Sequence, residues 1–87
     1  MAIDQSASVR DQVREFVQNL ANAKGISSFT DQEALLDSGV LDSLSIFRLV
    51  AFLEETFRVK IGDQEITNEN LKNVEIIEQL VLSKQGK

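Results

Sequence analysis

Residues 39–44 read GVLDSL, and they join a loose acidic segment to the most hydrophobic run of the chain, LSIFRLVAFLEETF at residues 44–57. Gly39 favours a turn, because glycine adopts backbone angles that other residues avoid. Asp42 and Ser43 are both good helix N-cap residues, so we predict that a helix begins here and continues to the end of the run. The sequence therefore places one hydroxyl, that of Ser43, at a helix start beside a carboxylate and an exposed turn.

Apolar residues cover most of the circumference of this central helix. One stripe comprises Ile46, Leu49, Val50, Leu53 and Phe57, and a second comprises Leu44, Phe47 and Ala51 with Arg48 beside it. A helix that is apolar nearly all round is either buried on two sides or exposes a patch to a partner. The pattern leaves open whether Leu44 and Phe47 belong to the core or to a binding surface.

A first helix is predicted over about residues 5–22, after a frayed N-terminal tail. Ser8 and Asp11 make a capping pattern, and the apolar residues that follow fall at helical spacing. Lys24 and Gly25 are typical of a helix end. This helix is expected to pack one face on the core.

The connection over residues 25–42 is long for so small a domain, and long connections are often functional. Ile26 and Phe29 are expected to anchor it to the core, and at least one of Leu35 and Leu36 is expected to be buried. A short turn is predicted to end near Leu36.

The last third predicts one short helical turn within residues 65–71 and a last helix capped by Asn73. The apolar face of that helix comprises Val74, Ile77, Leu80 and Val81. Residues 83–87 are expected to fray. The predicted fold is all-α, a small antiparallel bundle of three main helices plus one short helix, with a long loop after the first.

Composition narrows the class of protein. The 87 residues predict a single domain, with a core over about residues 5–84 and frayed termini. The chain has no cysteine and no histidine, so a thiolate nucleophile, the common zinc sites and the usual general base are excluded. We therefore expect that the protein is not an enzyme and has no catalytic residue and no metal site. No signal peptide or membrane span is evident, so the expected compartment is the cytoplasm.

The net charge of −5 is concentrated in the middle of the chain. Residues 31–56 carry six acidic residues against Arg48 alone, and the two flanking parts are neutral. Nucleic-acid binding needs a basic face, so this distribution argues against it. An acidic field instead favours partners with basic surfaces.

Physical chemistry alone leaves two interpretations of Ser43. The unpaired N–H groups and the dipole of a helix N-terminus stabilise a negative group, so a phosphate attached to Ser43 would be well placed. The simpler interpretation is that Ser43 only caps the helix.

A wider match resembles a known family. Residues 36–44, LDSGVLDSL, are similar to the approach to the modified serine of acyl carrier proteins and peptidyl carrier proteins, whose Asp-Ser-Leu motif matches residues 42–44. LEETF at 53–57 resembles the end of the second helix of that family. ENLKN at 69–73, followed by an apolar helix, resembles the family's last two helices. The resemblance covers about residues 5–84.

The resemblance implies a function and its partners. Ser43 would carry 4′-phosphopantetheine through a phosphodiester, with Asp42 as its motif neighbour, and the cofactor thiol would hold cargo as a thioester. A phosphopantetheinyl transferase would install the arm, an adenylating or acyl-loading enzyme would charge it, and acyltransferases would use it. The family's docking face, carried over by position, comprises Asp42, Leu44, Phe47, Arg48 and Ala51. We expect a monomer.

The face after the serine departs from the pattern of fatty-acid synthesis. Those carriers usually place acidic residues there, whereas this chain has Ser45 and Arg48. Residues 39–44 and 54–57 are more similar to stand-alone carriers loaded by adenylating enzymes, such as D-alanyl carriers. We favour a specialised carrier of lipid or secondary-metabolite biosynthesis. The alternatives are a housekeeping fatty-acid carrier and an unmodified helical interaction module, and the cargo and the pathway stay open.

Overall fold

The computed structural model describes residues 8–85, and each regular element in that range is helical. The elements are α1 (Val9–Ala23), α2 (Leu35–Ser38), α3 (Ser43–Phe57), a 3₁₀ helix (Asp63–Glu65) and α4 (Val74–Gln85). The three long helices α1, α3 and α4 each contact the other two. The predicted all-α fold of three main helices, with a long loop before the central one, is confirmed.

Helix α1 begins at Val9, because Ser8 has extended backbone angles and caps the helix. The Ser8 Oγ accepts a hydrogen bond from the Asp11 N–H at 3.0 Å, as the capping pattern predicts. The predicted start near residue 5 is therefore wrong, and the predicted tail at residues 1–7 lies outside the described residues. The helix ends at Lys24 and Gly25 as expected, with a φ of +79° at Gly25.

The core joins all three long helices. Its fully buried members include Val13, Val17 and Ala21 of α1, Leu49 and Leu53 of α3, and Val74, Ile77 and Val81 of α4. The rings of Phe16 and Phe52 stack with their centroids 4.3 Å apart, which links α1 to α3 at the edge of the core. Apolar contacts with α1 and α4 hold α3 in place, and α3 carries the candidate site.

The second half contains a short 3₁₀ helix that the sequence patterns do not predict, followed by the predicted helical turn. The Glu65 Oε1 accepts from the Gly62 N–H at 2.9 Å, and the Glu65 N–H donates to the Gly62 carbonyl at 2.8 Å, so these two hydrogen bonds hold the 3₁₀ helix at Asp63–Glu65. Residues 67–71 form a single helical turn, closed by a hydrogen bond of 3.1 Å from the Leu71 N–H to the Thr67 carbonyl. The prediction of one short helical turn within residues 65–71 is therefore confirmed.

Helix α4 begins at the predicted cap and continues further than predicted. The Asn73 Oδ1 accepts from the Ile76 N–H at 2.8 Å. The helix continues to Gln85, because Lys84 pairs with Glu65 at 2.5 Å and ties the last turn to the 3₁₀ helix. Fraying from residue 83 is thus wrong for residues 83–85, and residues 86–87 lie outside the described range. Among the helices of residues 8–85, none is long and apolar enough to cross a bilayer.

Candidate functional site

The connection between α1 and α3 is packed onto the core. Its buried residues are Phe29, Leu35, Val40 and Leu41, and Ile26 and Leu36 are half-buried against them. The expectation that Phe29 and at least one of the two adjacent leucines anchor the connection is confirmed. Burial at both ends of α2 fixes the path of the chain into α3.

Hydrogen bonds tie the same connection to the other long helices. The Leu35 N–H donates to the Lys72 carbonyl at 2.8 Å, and the Glu75 N–H donates to the Asp31 carbonyl at 3.2 Å. The Asp31 carboxylate also pairs with the Arg14 guanidinium at 2.8 Å. The connection is therefore held between α1 and the start of α4, and the residues after it enter α3 from a fixed position.

The turn predicted at Gly39 is present. Gly39 ends α2 with a φ of +89°, and its N–H donates to the Leu36 carbonyl at 3.3 Å. The Leu41 N–H then donates to the Leu35 carbonyl at 3.1 Å, which folds the chain back over α2. Since Leu41 is buried, the next residue, Asp42, emerges at the surface.

Asp42 is the N-cap of α3. Its Oδ1 accepts from the Ser45 N–H at 2.8 Å, and its Oδ2 accepts from the Lys24 ammonium at the end of α1. The hydrogen bond from Lys24, reinforced by that from the Ser45 N–H, lowers the pKa of Asp42 well below its usual range. The carboxylate is therefore ionised, and both of its oxygens are occupied.

Ser43 is the first residue of α3 and lies exposed at the surface. The interpretation of Ser43 as the cap is wrong, because Asp42 takes that role. Within residues 8–85 the Ser43 hydroxyl makes no hydrogen bond. The site therefore presents an exposed hydroxyl that no side chain in that range binds.

The structure brings the second apolar stripe of α3 together on an exposed face. Leu44 is 66% exposed and Phe47 is 63% exposed, and Arg48 and Ala51 are also exposed. The question whether Leu44 and Phe47 belong to the core is thereby settled in favour of the surface. Ser45 is only 7% exposed and points away from this face, so its assignment to the face is wrong and Arg48 alone marks the departure from an acidic pattern.

A shallow depression of about 420 Å³ adjoins the exposed face. Its lining residues are Phe16 and Leu20 of α1 and Arg48, Ala51, Phe52 and Glu55 of α3. Apolar surface therefore continues from the exposed face of α3 onto α1.

One residue of the site has no signal in the sequence. In the sequence, Lys24 is recognisable only as part of the end of the first helix. In the structure its ammonium binds Asp42, which lies 18 positions later in the chain. Such a contact depends on how α1 and α3 pack, and no local pattern predicts it.

The comparisons with known proteins agree with the motif. No family model matches the chain. Two curated acyl carrier proteins of Brachyspira hyodysenteriae, one of them from strain ATCC 49526 / WA1, are similar to it. Each is 31% identical over 64 residues, which is 74% of this chain and 80% of the relative.

Proposed function

The chain belongs to the acyl carrier protein family, and on that premise we propose that it holds an acyl or aminoacyl cargo on a 4′-phosphopantetheine arm attached to Ser43. Acyl carrier proteins are non-catalytic carriers, so the chain is not an enzyme. When bound, the cofactor supplies the thiol that holds the cargo as a thioester. The protein supplies the attachment point and the surface that partner enzymes contact.

The single observation that carries the proposal is the state of Ser43. Its hydroxyl is exposed, makes no hydrogen bond within residues 8–85 and stands on the first turn of a 15-residue helix. The free N–H groups and the dipole of that turn favour an attached phosphodiester. Because Asp42 already caps the helix, modification of Ser43 would break no hydrogen bond of the fold.

Partner docking is proposed for the exposed face of α3, comprising Leu44, Phe47, Arg48 and Ala51. Exposed apolar side chains of this size, clustered next to a functional residue, are typical of a contact surface. The partners would be a phosphopantetheinyl transferase, an adenylating or acyl-loading enzyme and downstream acyltransferases. The acidic segment 31–56 would steer their basic surfaces toward Ser43.

The pathway is proposed to be a specialised one, and the support for it is Arg48. A wholly acidic face would select partners with a basic docking surface. The exposed guanidinium of Arg48 on this face favours partners whose docking surface is less basic. A housekeeping role in fatty-acid synthesis is the second candidate, because the two relatives carry the general name acyl carrier protein. We also propose that residues 1–87 act as one carrier domain, as a monomer, in the cytoplasm.

The test is the intact mass of the protein before and after incubation with coenzyme A and a broad-specificity phosphopantetheinyl transferase. We expect a gain of one phosphopantetheine in the wild-type chain and in Ser28→Ala, which removes another exposed serine, and no gain in Ser43→Ala. A gain that persists in Ser43→Ala would move the attachment to another residue. The absence of any gain with several transferases would favour the unmodified interaction module.

A further inference from the structure

Lys24 ends α1 and lies beside the start of α3. Its backbone N–H donates to the Ala21 carbonyl at 3.0 Å, and the positive φ of Gly25 then turns the chain away from the helix. Its side chain stays at the helix end, where the ammonium donates to the Asp42 Oδ2. A cation from α1 therefore lies at the residue that directly precedes Ser43.

This ion pair is not what caps α3. The cap uses the other oxygen of Asp42, the Oδ1, which accepts from the Ser45 N–H. The pair is also solvent-accessible, with 30% of the Lys24 side chain and 53% of the Asp42 side chain exposed, and exposed pairs add little to stability. What Lys24 adds to this place is a positive charge and its donors.

The negative charge around Ser43 would be partly offset by the Lys24 ammonium. Segment 31–56 has a net charge of −5, and a phosphodiester on Ser43 would add a further negative charge beside Asp42. The carbonyl end of α1, which carries the negative end of its dipole, also lies at Lys24. Within residues 8–85, Lys24 is the one cation that forms an ion pair with Asp42.

The donor count allows Lys24 to serve two anions. An ammonium has three N–H donors, and the described contacts of Lys24 use one of them, for the Asp42 Oδ2. Two donors therefore stay available for a second acceptor without loss of the first hydrogen bond.

We propose that Lys24 is the counter-ion of the attachment site. Its ammonium would bind the Asp42 carboxylate and the phosphodiester on Ser43 at the same time. The inference rests on the proposed function of Ser43. Lys24 is a positioning residue here: it holds the base of the arm against the end of α1 and takes no part in the transfer itself.

The test uses ³¹P NMR on the chain of residues 1–87 after phosphopantetheine attachment, with the attachment verified by intact mass. The variants are Lys24→Met, the charge-preserving Lys24→Arg, and Lys60→Met as a control that removes one exposed lysine elsewhere. We expect Lys24→Met to shift the phosphodiester resonance and to slow its transverse relaxation, because the base of the arm gains mobility. Lys60→Met and Lys24→Arg should stay close to the wild type.

Salt provides a second readout, because it screens the attraction between the Lys24 ammonium and a phosphodiester. At 1 M salt the screening length falls to about 3 Å, so the wild-type relaxation should approach that of Lys24→Met. Identical ³¹P signals in the wild type and Lys24→Met, or equal changes in Lys24→Met and Lys60→Met, would overturn the role of Lys24 while attachment at Ser43 stands. A wild-type chain that gains no phosphopantetheine mass would overturn both.

Discussion

The two faces of α3 are almost equally apolar in sequence and opposite in environment. Leu49 and Leu53 on one face are fully buried, whereas Leu44 and Phe47 on the other are about two-thirds exposed. The helix has 3.6 residues per turn, so Leu49 and Leu53, four positions apart, share one face, whereas Leu44, five positions before Leu49, lies on the other.

The buried face is covered by α1 and α4, while the exposed face has no cover among residues 8–85. Burial of the first face stabilises the fold, and exposure of the second leaves it available to a partner. The same residue type therefore has a structural role on one face and a proposed recognition role on the other.

The largest effect on stability is expected when a leucine on the buried face, rather than one on the exposed face, is replaced by alanine. Leu53→Ala should lower the free energy of unfolding by about 2–5 kcal/mol, because it removes a fully buried side chain and leaves a cavity. Leu44→Ala should change it by less than about 0.5 kcal/mol, as exposed substitutions usually do. Urea denaturation of both variants measures the difference, and equal losses would show that the exposed face is not free.

Phe47 tests whether the exposed face of α3 binds a partner. Phe47→Ala should weaken binding of the phosphopantetheinyl transferase by about 2 kcal/mol, roughly thirtyfold, as for an aromatic anchor in an interface. Its thermal midpoint should hardly move, since the side chain is exposed.

Leu82→Ala is the matched control for Phe47, because it removes an exposed apolar side chain of α4. Isothermal titration with the transferase should give wild-type affinity for that variant. If both variants bind as the wild type does, the exposed face of α3 is not the docking surface.

A smaller effect is expected at the turn that delivers the chain to both faces. Gly39→Ala should cost about 1–2 kcal/mol, because its φ of +89° is unfavourable for a residue with a Cβ, although the added atom has no neighbour within 4 Å. Gly62→Ala, at a φ of −74°, should be close to neutral by comparison. The urea midpoints of the Gly39→Ala and Gly62→Ala variants distinguish backbone strain from steric crowding. An unchanged midpoint for Gly39→Ala would contradict backbone strain at that position.

The smallest effect concerns the pH dependence at the start of α3. The pKa of Asp42 is lower in the folded chain than its unfolded value of about 3.9, so its ionised form contributes stability above that pH. The contribution is lost as the pH falls toward the folded pKa. Lys24→Met should move this loss to higher pH, which urea midpoints between about pH 2 and pH 5 would detect. Superimposable pH profiles would argue against the ion pair in solution.

Local patterns predicted most of the helical elements. Asp42 and Phe57 bound the central helix where the sequence placed them, and Ser8 and Asn73 cap their helices through hydrogen bonds that span three residues. These features depend on residues within about one helical turn, so the sequence contains the information directly. The 3₁₀ helix at Asp63–Glu65 has no such local signal, because it depends on the hydrogen bond from the Gly62 N–H to the Glu65 carboxylate and on Lys84 from another element.

Sequence patterns are enough to predict that the chain is all-helical, that Ser43 stands at a helix start and that its motif resembles the carrier family. The packing of the helices is needed to establish which apolar face of α3 is buried, that Asp42 rather than Ser43 caps the helix, and that Lys24 binds Asp42. The reason is range: helix periodicity and capping patterns lie within a few residues, whereas burial and ion pairs depend on which distant segments pack together.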